Sequence, residues 1–595
     1  MALTTLSVVD YILLVLLLLA SAIIGAIFGF FKSKKNSAKE FLLADGGMRV
    51  FPTALSIMVS FISAITFLGT PVEVYMYGTM FWYQAAAWST ASLIAAFVFM
   101  PKFREMYFTS AYEYLEKRFD RTVRISASMA FSVYMLIFMA LVLYAPALAL
   151  SQTTGLNIWL SVISIGVICT FYSSVGGMKA VIWTDVLQAA IMFVGILSAI
   201  IQGLIEVGGF KNVFTIASRG NRFEFNNVSF DPRTRHTIWT FFLGSTLNTL
   251  SIYGFNQTQI QRYMCVRTTR GAQQALIINA IGVASIIFLT GFMGIILYAF
   301  YVNCDPYTAK LVSGSDQIFP YFVMEVLSSK KGLPGIFLAC IFSGSLSSIS
   351  SGLNSLAAVL IEDVYKGLLG RQLTDERQGY VAKICSVLLG AVVMLLTYVV
   401  SYLGSLINAA LSLSGILSAP IMGVFLLGFF FPRANRRGAL IGFFTGLSFV
   451  MWIFIGAQLT KNQRINLQLP LSVEGCKHLN VTTQMLFNTT IPTSSNPLLG
   501  LYSVSYLWYT LISVSTVLIV GLIVSYLTGP LKPYEVDPRL LIRVSDVFGC
   551  KCFRSNVSYD FHQKDKVRNV YLFAFFLYTN IQPTFYRETI LYNQQ

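Results

Sequence analysis

Apolar residues run along this chain in blocks of about 20 or more, enough for a helix to cross the roughly 30 Å hydrocarbon core of a bilayer. The blocks cover residues 10–31, 50–78, 80–101, 125–150, 156–175, 180–206, 237–256, 273–301, 333–360, 379–403, 405–431, 438–457 and 502–528. They predict an all-α polytopic membrane protein with about 13 transmembrane helices. Composition agrees: of 595 residues, 55% are hydrophobic and 11% charged, too apolar for a water-soluble globular protein. The first block has no small-residue cleavage site before its lysine-rich exit, so it reads as a retained helix and not a signal peptide.

The net charge of +16 is distributed by loop. Lys32, Lys34, Lys35 and Lys39 follow the first block, and Arg104, Lys117, Arg118, Arg121 and Arg124 follow the third. Arg262, Arg267 and Arg270, then Arg433, Arg436 and Arg437, fall in later alternate loops. The positive-inside rule makes these loops cytoplasmic, with the amino terminus outside and the carboxyl terminus inside. Basic charge here reports topology and a lipid-bilayer environment, not a nucleic-acid partner.

Asn227, Asn480 and Asn488 begin glycosylation sequons in the two long loops that the charge rule assigns to the exterior. Asn256 and Asn556 also begin sequons, but this topology places them on the cytoplasmic side, where they are expected to stay unmodified. Of eight cysteines, Cys304 and Cys476 lie in exterior loops and are disulfide candidates; two free thiols is the alternative. Cys550 and Cys552 sit in the cytoplasmic tail, where an apolar segment at 569–578 is too short to span a bilayer.

His236, His478 and His562 lie outside the blocks or at their rims, and no HExxH, CxxC or Ser-His-Asp pattern occurs. An enzyme is disfavoured. The polar residues inside the blocks are hydroxyls, amides and glycines. In FSGSLSSISSGLNS (342–355), Gly344, Ser347, Ser348, Ser351 and Ser355 recur at steps of three and four, on one helix face. Close helix packing is the plain explanation. Ser343, Ser345 and Ser350 fall off that face and read as packing.

The block PTALSIMVSFISAITFLGTP places Ser56, Ser60, Ser63 and Thr66 between Pro52 and Pro71, a helix that can break. Freed carbonyls inside a membrane are tolerated where they line a cavity, and they make cation ligands. FFLGSTLNTLSIYG (241–254) is similarly interrupted, five blocks later. Two such helices point to an inverted-repeat transporter, and oxygen-only donors suit sodium.

GGMKAVIWTDVLQ (176–188), YGFNQTQIQRYM (253–264) and FSGSLSSISSGLNSLAAVLIEDVY (342–365), in this order, resemble the sodium:solute symporter family, with the match running over roughly residues 5–530. The resemblance implies a leucine-transporter-like core of two inverted five-helix repeats, 50–206 and 237–431. Around it lie a leading helix and loop (1–49), an exterior loop (207–236), two more helices with a long exterior loop (432–528) and a cytoplasmic tail (529–595). It implies Na+ as coupling ion, held by the carbonyls of Val59, Ile62 and Gly344 and the hydroxyls of Ser347 and Ser348, three of which belong to the polar stripe. It gives Asp185 a role in gating or cation release; a helix-terminal acid, with Thr184 or Asp185 as cap, is the alternative. Glu362 and Asp363 read as solvated residues at a cytoplasmic helix end.

Sugar-carrying relatives have polar pocket residues where this chain has Phe61, Thr66, Phe81 and Leu411. SFISAITFLGTPVEVYMYG (60–78) is similar to the branch with the sodium-dependent multivitamin, sodium-coupled monocarboxylate and iodide transporters. The expected activity is therefore sodium-coupled import, by alternating access across the plasma membrane, of a small organic anion: a monocarboxylate or a vitamin carboxylate such as pantothenate or biotin. Phe61, Thr66, Phe67, Gln84, Thr246 and Asn248 are the candidate solute-lining residues. A symporter for iodide, inositol or sugar, or a non-transporting sensor of the same fold, is the rival reading.

Overall fold

The computed structural model describes residues 6–28, 38–106, 108–371, 373–402, 405–460, 468–476 and 497–542. Asn480, Asn488, Asn556, His478, His562, Cys550, Cys552 and the apolar tail segment 569–578 lie outside the described residues. The membrane helices used below are α1 (Val8–Ala26), α2 (Val50–Val59), α3 (Ala64–Tyr77), α4 (Thr79–Met106), α5 (Arg121–Thr154) and α6 (Ile158–Val207). They continue with α7 (Thr246–Phe255), α8 (Gln257–Met264), α9 (Thr269–Phe300), α10 (Leu333–Val359) and α11 (Asp375–Val400). The last three are α12 (Leu406–Phe430), α13 (Arg436–Leu459) and α14 (Tyr509–Leu527). No strand occurs among the described residues, whose one isolated bridge pairs Met48 with Val266.

Polar residues between the apolar blocks set the helix ends, because a short oxygen-bearing side chain can accept a hydrogen bond from an otherwise unpaired first-turn N–H. Asp120 accepts from Val123 N at 3.0 Å, Asn157 from Trp159 N at 2.9 Å, Thr268 from Gly271 N at 3.0 Å and Asn435 from Gly438 N at 2.9 Å. Asn256 accepts from Thr258 N at 2.9 Å and is 2% exposed. Its amide thus starts α8, a structural use for a residue expected to be unglycosylated.

Ten helices are long and apolar enough to cross a membrane among the described residues, and α2 with α3, bent by 58°, makes 11. The expected 13 differ from this at two places. Blocks 156–175 and 180–206 are one run of 50 helical residues in α6, about 75 Å at 1.5 Å per residue and too long for a single crossing. The run is interrupted at Gly177, whose φ of 60° and ψ of −168° are not helical. Block 237–256 is instead a π-turn at Thr240–Ser245, then α7, then α8. Its helix reaches Met264, so Arg262 is no loop residue: it lies inside the bundle with no exposed surface.

The core centres on α10, buried from Phe337 to Val359 and packed against α1, α5, α6 and α11. Its first turn is tied by Asp10 of α1, which accepts from Gly332 N at 3.0 Å and Gly335 N at 2.9 Å. One end of the bundle carries the Cys304–Cys476 disulfide. There Leu469 N donates to Met76 O at 3.0 Å and Gly475 N to Asn303 O at 2.8 Å, strapping 468–476 over the end of α3. At the opposite, arginine-rich end, Asp363 proves buried, not solvated: Arg124 Nε and Ser110 Oγ donate to it at 2.6 and 2.7 Å. Glu362 there is ion-paired with Lys366 at 2.8 Å.

Asp316, 7% exposed near the disulfide end, caps α12 by accepting from Leu406 N at 3.0 Å. Burial pushes its carboxyl from 3.8 up to about 6, although the Leu406 N–H pulls the other way. The folded protein therefore holds this proton more tightly than the unfolded chain, and the stabilisation is complete below about pH 4 and lost as pH rises through 6. The melting temperature of the wild type should accordingly rise relative to Asp316→Asn between pH 7 and pH 5. A pH-independent difference between the two would contradict this placement of the proton.

Candidate cation and solute site

The break between α2 and α3 is the centre of the site. α2 ends at Val59, and Ser63 caps α3 by accepting from Ile65 N at 3.2 Å. Among the described residues, no donor reaches the carbonyls of Val59, Ser60, Phe61 or Ile62. Four successive unpaired carbonyls in an apolar bundle are costly unless something else satisfies them. A hard cation can do so with neutral oxygens alone.

α10 faces this break at Gly344, where an added Cβ would stand 2.8 Å from Ala64 N and 2.9 Å from Ser63 C. The close approach requires glycine. One turn on, Ser347 Oγ donates to Asp185 Oδ1 at 2.6 Å, leaving the hydroxyl's lone pairs available. Ser348 Oγ is buried and has no partner. Thus Gly344 lies against the Ser63–Ala64 peptide where α3 begins, with Ser347 and Ser348 following on the same helix. Of the serines assigned to packing, Ser345 donates to Val142 O at 2.8 Å, Ser350 to Ser347 O at 3.0 Å, and Ser343 Oγ lacks a partner.

Asp185 is not a helix cap. It lies within α6, has no exposed surface, and accepts from Ser56 Oγ at 2.5 Å as well as from Ser347. Thr184 Oγ1 turns back to Ala180 O and Val181 O. Arg262 of α8 completes the cluster: Nε donates to Ser56 Oγ at 2.8 Å, Nη1 to Thr258 O at 2.9 Å, and Nη2 reaches Asp185 Oδ2 at 3.5 Å and Ser351 Oγ. One carboxylate and one guanidinium thereby join α2, α6, α8 and α10.

Sequence reasoning missed Arg262, because it counted every arginine after an apolar block as a loop charge. It also missed Gln188, three residues after Asp185 in the WTDVLQ motif, whose two amide atoms are buried without partners. The spacing of three, which puts both on one face of α6, was the available signal. Among the described residues no cluster of three His, Cys, Asp or Glu side chains forms a metal site, so the donors at the break are hydroxyl and carbonyl oxygens.

The candidate solute residues fall into separate contacts. Phe61 stacks on Phe138 of α5 with ring centroids 5.4 Å apart. Gln84 Oε1 accepts from Ser245 Oγ at 2.6 Å, and Asn248 Nδ2 donates to Leu411 O at 3.3 Å. Thr246 Oγ1 turns to Phe241 O at 3.3 Å, Phe67 is fully buried, and Thr66 is half-buried. Phe81 meets Phe241 edge-on at 5.8 Å. Aromatic rings and two amides thus occur where α4, the π-turn, α7 and α12 approach each other.

Helices broken beside a hydroxyl-lined central helix, in a bundle of this size, define a secondary transporter. The profile of the Sodium:solute symporter family matches residues 41–446, and the chain belongs to that family. It is 40% identical to Sodium-coupled monocarboxylate transporter 2 of Mus musculus over 550 residues, covering 92% of this chain and 87% of that protein. It is 40% identical to Sodium-coupled monocarboxylate transporter 1 of Homo sapiens, covering 90% of each chain. It is 38% identical to the Sodium/iodide cotransporter of Homo sapiens, covering 89% of this chain and 85% of that one. A solved outward-open, substrate-bound Na+-coupled sialic acid symporter superposes with a TM-score of 0.71 at 24% identity, covering 89% and 99% of the two chains. The fold is thus the leucine-transporter-like bundle, and the protein is a sodium-coupled solute symporter, not an enzyme.

Removing Arg262 leaves Asp185 as an uncompensated buried charge, which costs about 3–5 kcal/mol. Arg262→Ala should lower the melting temperature of the purified protein sharply, and Arg262→Ala with Asp185→Asn should recover part of the loss. Equal melting temperatures for the single and double variants would contradict a direct pairing.

Proposed function

We propose that the protein imports a small monocarboxylate together with Na+ across the plasma membrane, with the disulfide end outside and the arginine-rich end in the cytoplasm. The observation that supports the ion's part is the run of unpaired carbonyls at Val59–Ile62, just before the Ser63–Ala64 peptide that Gly344 approaches, together with the orphaned Ser348 hydroxyl one turn further along α10. The Na+ ligands in this reading are the carbonyls of Val59, Ile62 and Gly344 and the hydroxyls of Ser347 and Ser348. Asp185 senses the ion through Ser347, because a hydroxyl that donates its proton to a carboxylate becomes a better cation ligand. Movement of Asp185 relative to Ser347 then weakens the site and favours release.

The solute reading rests on the match to monocarboxylate transporters along nearly the whole chain and on the side chains of the break, α3, α4 and α7. Phe61, Phe67 and Phe81 suit a short apolar body, while Gln84, Thr246 and Asn248 offer polar contacts. The amino-terminal end of α3, starting at Ala64, adds the positive end of a helix dipole for a carboxylate. Vitamin carboxylates fit the same chemistry at larger size, and iodide fits the positive dipole alone. The Asn227 and disulfide loops face the exterior in this topology, as glycosylation and disulfide formation require.

Each Na+ entering through about 100 mV contributes roughly 2.3 kcal/mol to solute accumulation. For coupling, Na+ must favour one conformation over the others. Uptake of labelled lactate, pyruvate, pantothenate, biotin, iodide and glucose, each with Na+ or choline, should show Na+-dependent accumulation of the monocarboxylates. Accumulation of iodide or a vitamin without lactate or pyruvate would replace the solute assignment. In the same cells Ser348→Ala should raise the half-saturating Na+ concentration about tenfold, the effect of ~1.4 kcal/mol; an unchanged value would remove Ser348 from the site.

A further inference from the structure

At the disulfide end, Arg235 precedes the π-turn at Thr240–Ser245 and reaches two other elements at once. Its Nε donates to Glu73 Oε1 of α3 at 2.6 Å, and its Nη2 donates to Asn408 Oδ1 in the first turn of α12 at 2.7 Å. The guanidinium carbon lies 4.0 Å from the centre of the Tyr77 ring and 5.1 Å from that of Tyr506. Its backbone carbonyl accepts from Ser505 Oγ at 2.9 Å. The Glu73 side chain is only 4% exposed, whereas that of Arg235 is 23% exposed. The neighbouring His236 places Nε2 3.1 Å from the same Glu73 oxygen and packs its ring against Tyr77, Phe81 and Phe241.

The elements joined border the candidate solute residues: Thr66 and Phe67 belong to α3, and Asn248 Nδ2 donates to Leu411 O of α12. α3 is the half of the broken helix that leads from the break to the disulfide end. It meets α12 so closely that a Cβ on Gly69 would stand 2.9 Å from Ile407 Cβ. The π-turn contributes Phe241 against Phe81 and Ser245 against Gln84. Opening a path from this end requires α3, α12 or the π-turn to separate, and separation breaks the Arg235 hydrogen bonds. A buried carboxylate that loses its guanidinium is heavily penalised unless water follows. Such a contact biases the equilibrium between closed and open states by its difference between them.

We propose that Arg235 is a positioning residue that latches the outer gate, fastening α3 to α12 through Glu73 and Asn408 and holding the solute path shut from the disulfide side. The inference rests on the orientation given under Proposed function, but on no particular solute. A merely structural ion pair would affect folding and surface abundance without changing access from outside.

The test is the rate at which a membrane-impermeant methanethiosulfonate reagent modifies Phe81→Cys in intact cells, normalised to the transporter labelled at the surface. Phe81 is 2% exposed and packs against His236, the neighbour of Arg235, and against Phe241. Adding Arg235→Ala should accelerate modification about tenfold, Asn408→Ala should accelerate it less, and the exchange of Glu73→Arg with Arg235→Glu should restore a slow rate. If Arg235→Ala does not reach the surface, Arg235→Lys and Asn408→Ala carry the comparison. Unchanged rates in every variant that reaches the surface would overturn the latch while leaving the orientation standing. Modification only after permeabilisation would overturn the orientation itself, and the outer placement of the latch with it.

Discussion

A charge pair buried in an apolar bundle is tolerated when its charged groups find hydrogen-bond partners, and Arg262 and Asp185 find theirs on the helices around them. Both side chains lack exposed surface. Ser56 stands between them, accepting from Arg262 Nε at 2.8 Å and donating to Asp185 Oδ2 at 2.5 Å. Thr258 O and Ser351 Oγ accept from Nη1 and Nη2 of the guanidinium, and Ser347 donates to the second carboxylate oxygen. The direct separation of 3.5 Å is long for an ion pair, so the serines carry much of the connection. Because these residues come from α2, α6, α8 and α10, the pair fixes the relative positions of both broken helices and the central hydroxyl-bearing helix.

That arrangement links the proposed ion site to helix position without further machinery. Ser347 belongs to the charge cluster and to the proposed ligand set, so an ion drawing on its lone pairs is coupled to Asp185 and through it to Arg262. The unpaired carbonyls of Val59–Ile62 lie between α2, held by Ser56 in the cluster, and α3, held by Glu73 at the other end. Clasps made of an arginine and a carboxylate therefore act on opposite sides of one break. Both clasps are closed in this structure.

Much of this was legible in the residues. Pro52 and Pro71 flanking a hydroxyl-rich block marked the α2–α3 break, since a helix with two prolines and several competing hydroxyls pairs its backbone poorly. The three- and four-residue spacing of Gly344, Ser347 and Ser348 marked one face of α10. The charge cluster was less legible for a physical reason: hydropathy treats an arginine as a loop residue, whereas Arg262 is neutralised by partners distant in sequence. Asp363 was misread in the same way, because Arg124 and Ser110 reach it from other elements. The apparent length of α6 was decided by Gly177, a residue that neither hydrophobicity nor periodicity distinguishes from the glycine beside it. The solute residues were least legible, since Gln84 and Asn248 bond partly to protein groups and their spare capacity depends on conformation.

The central claim is that the α2–α3 break holds Na+ against α10. A density map of the purified protein in sodium chloride, compared with one in choline chloride, addresses it most directly. The account predicts a discrete feature bounded by the carbonyls of Val59 and Ile62 and the hydroxyl of Ser348 in sodium, absent in choline. A continuous hydrogen-bonded helix through residues 59–63, or a sodium map with no feature at this position, would contradict it.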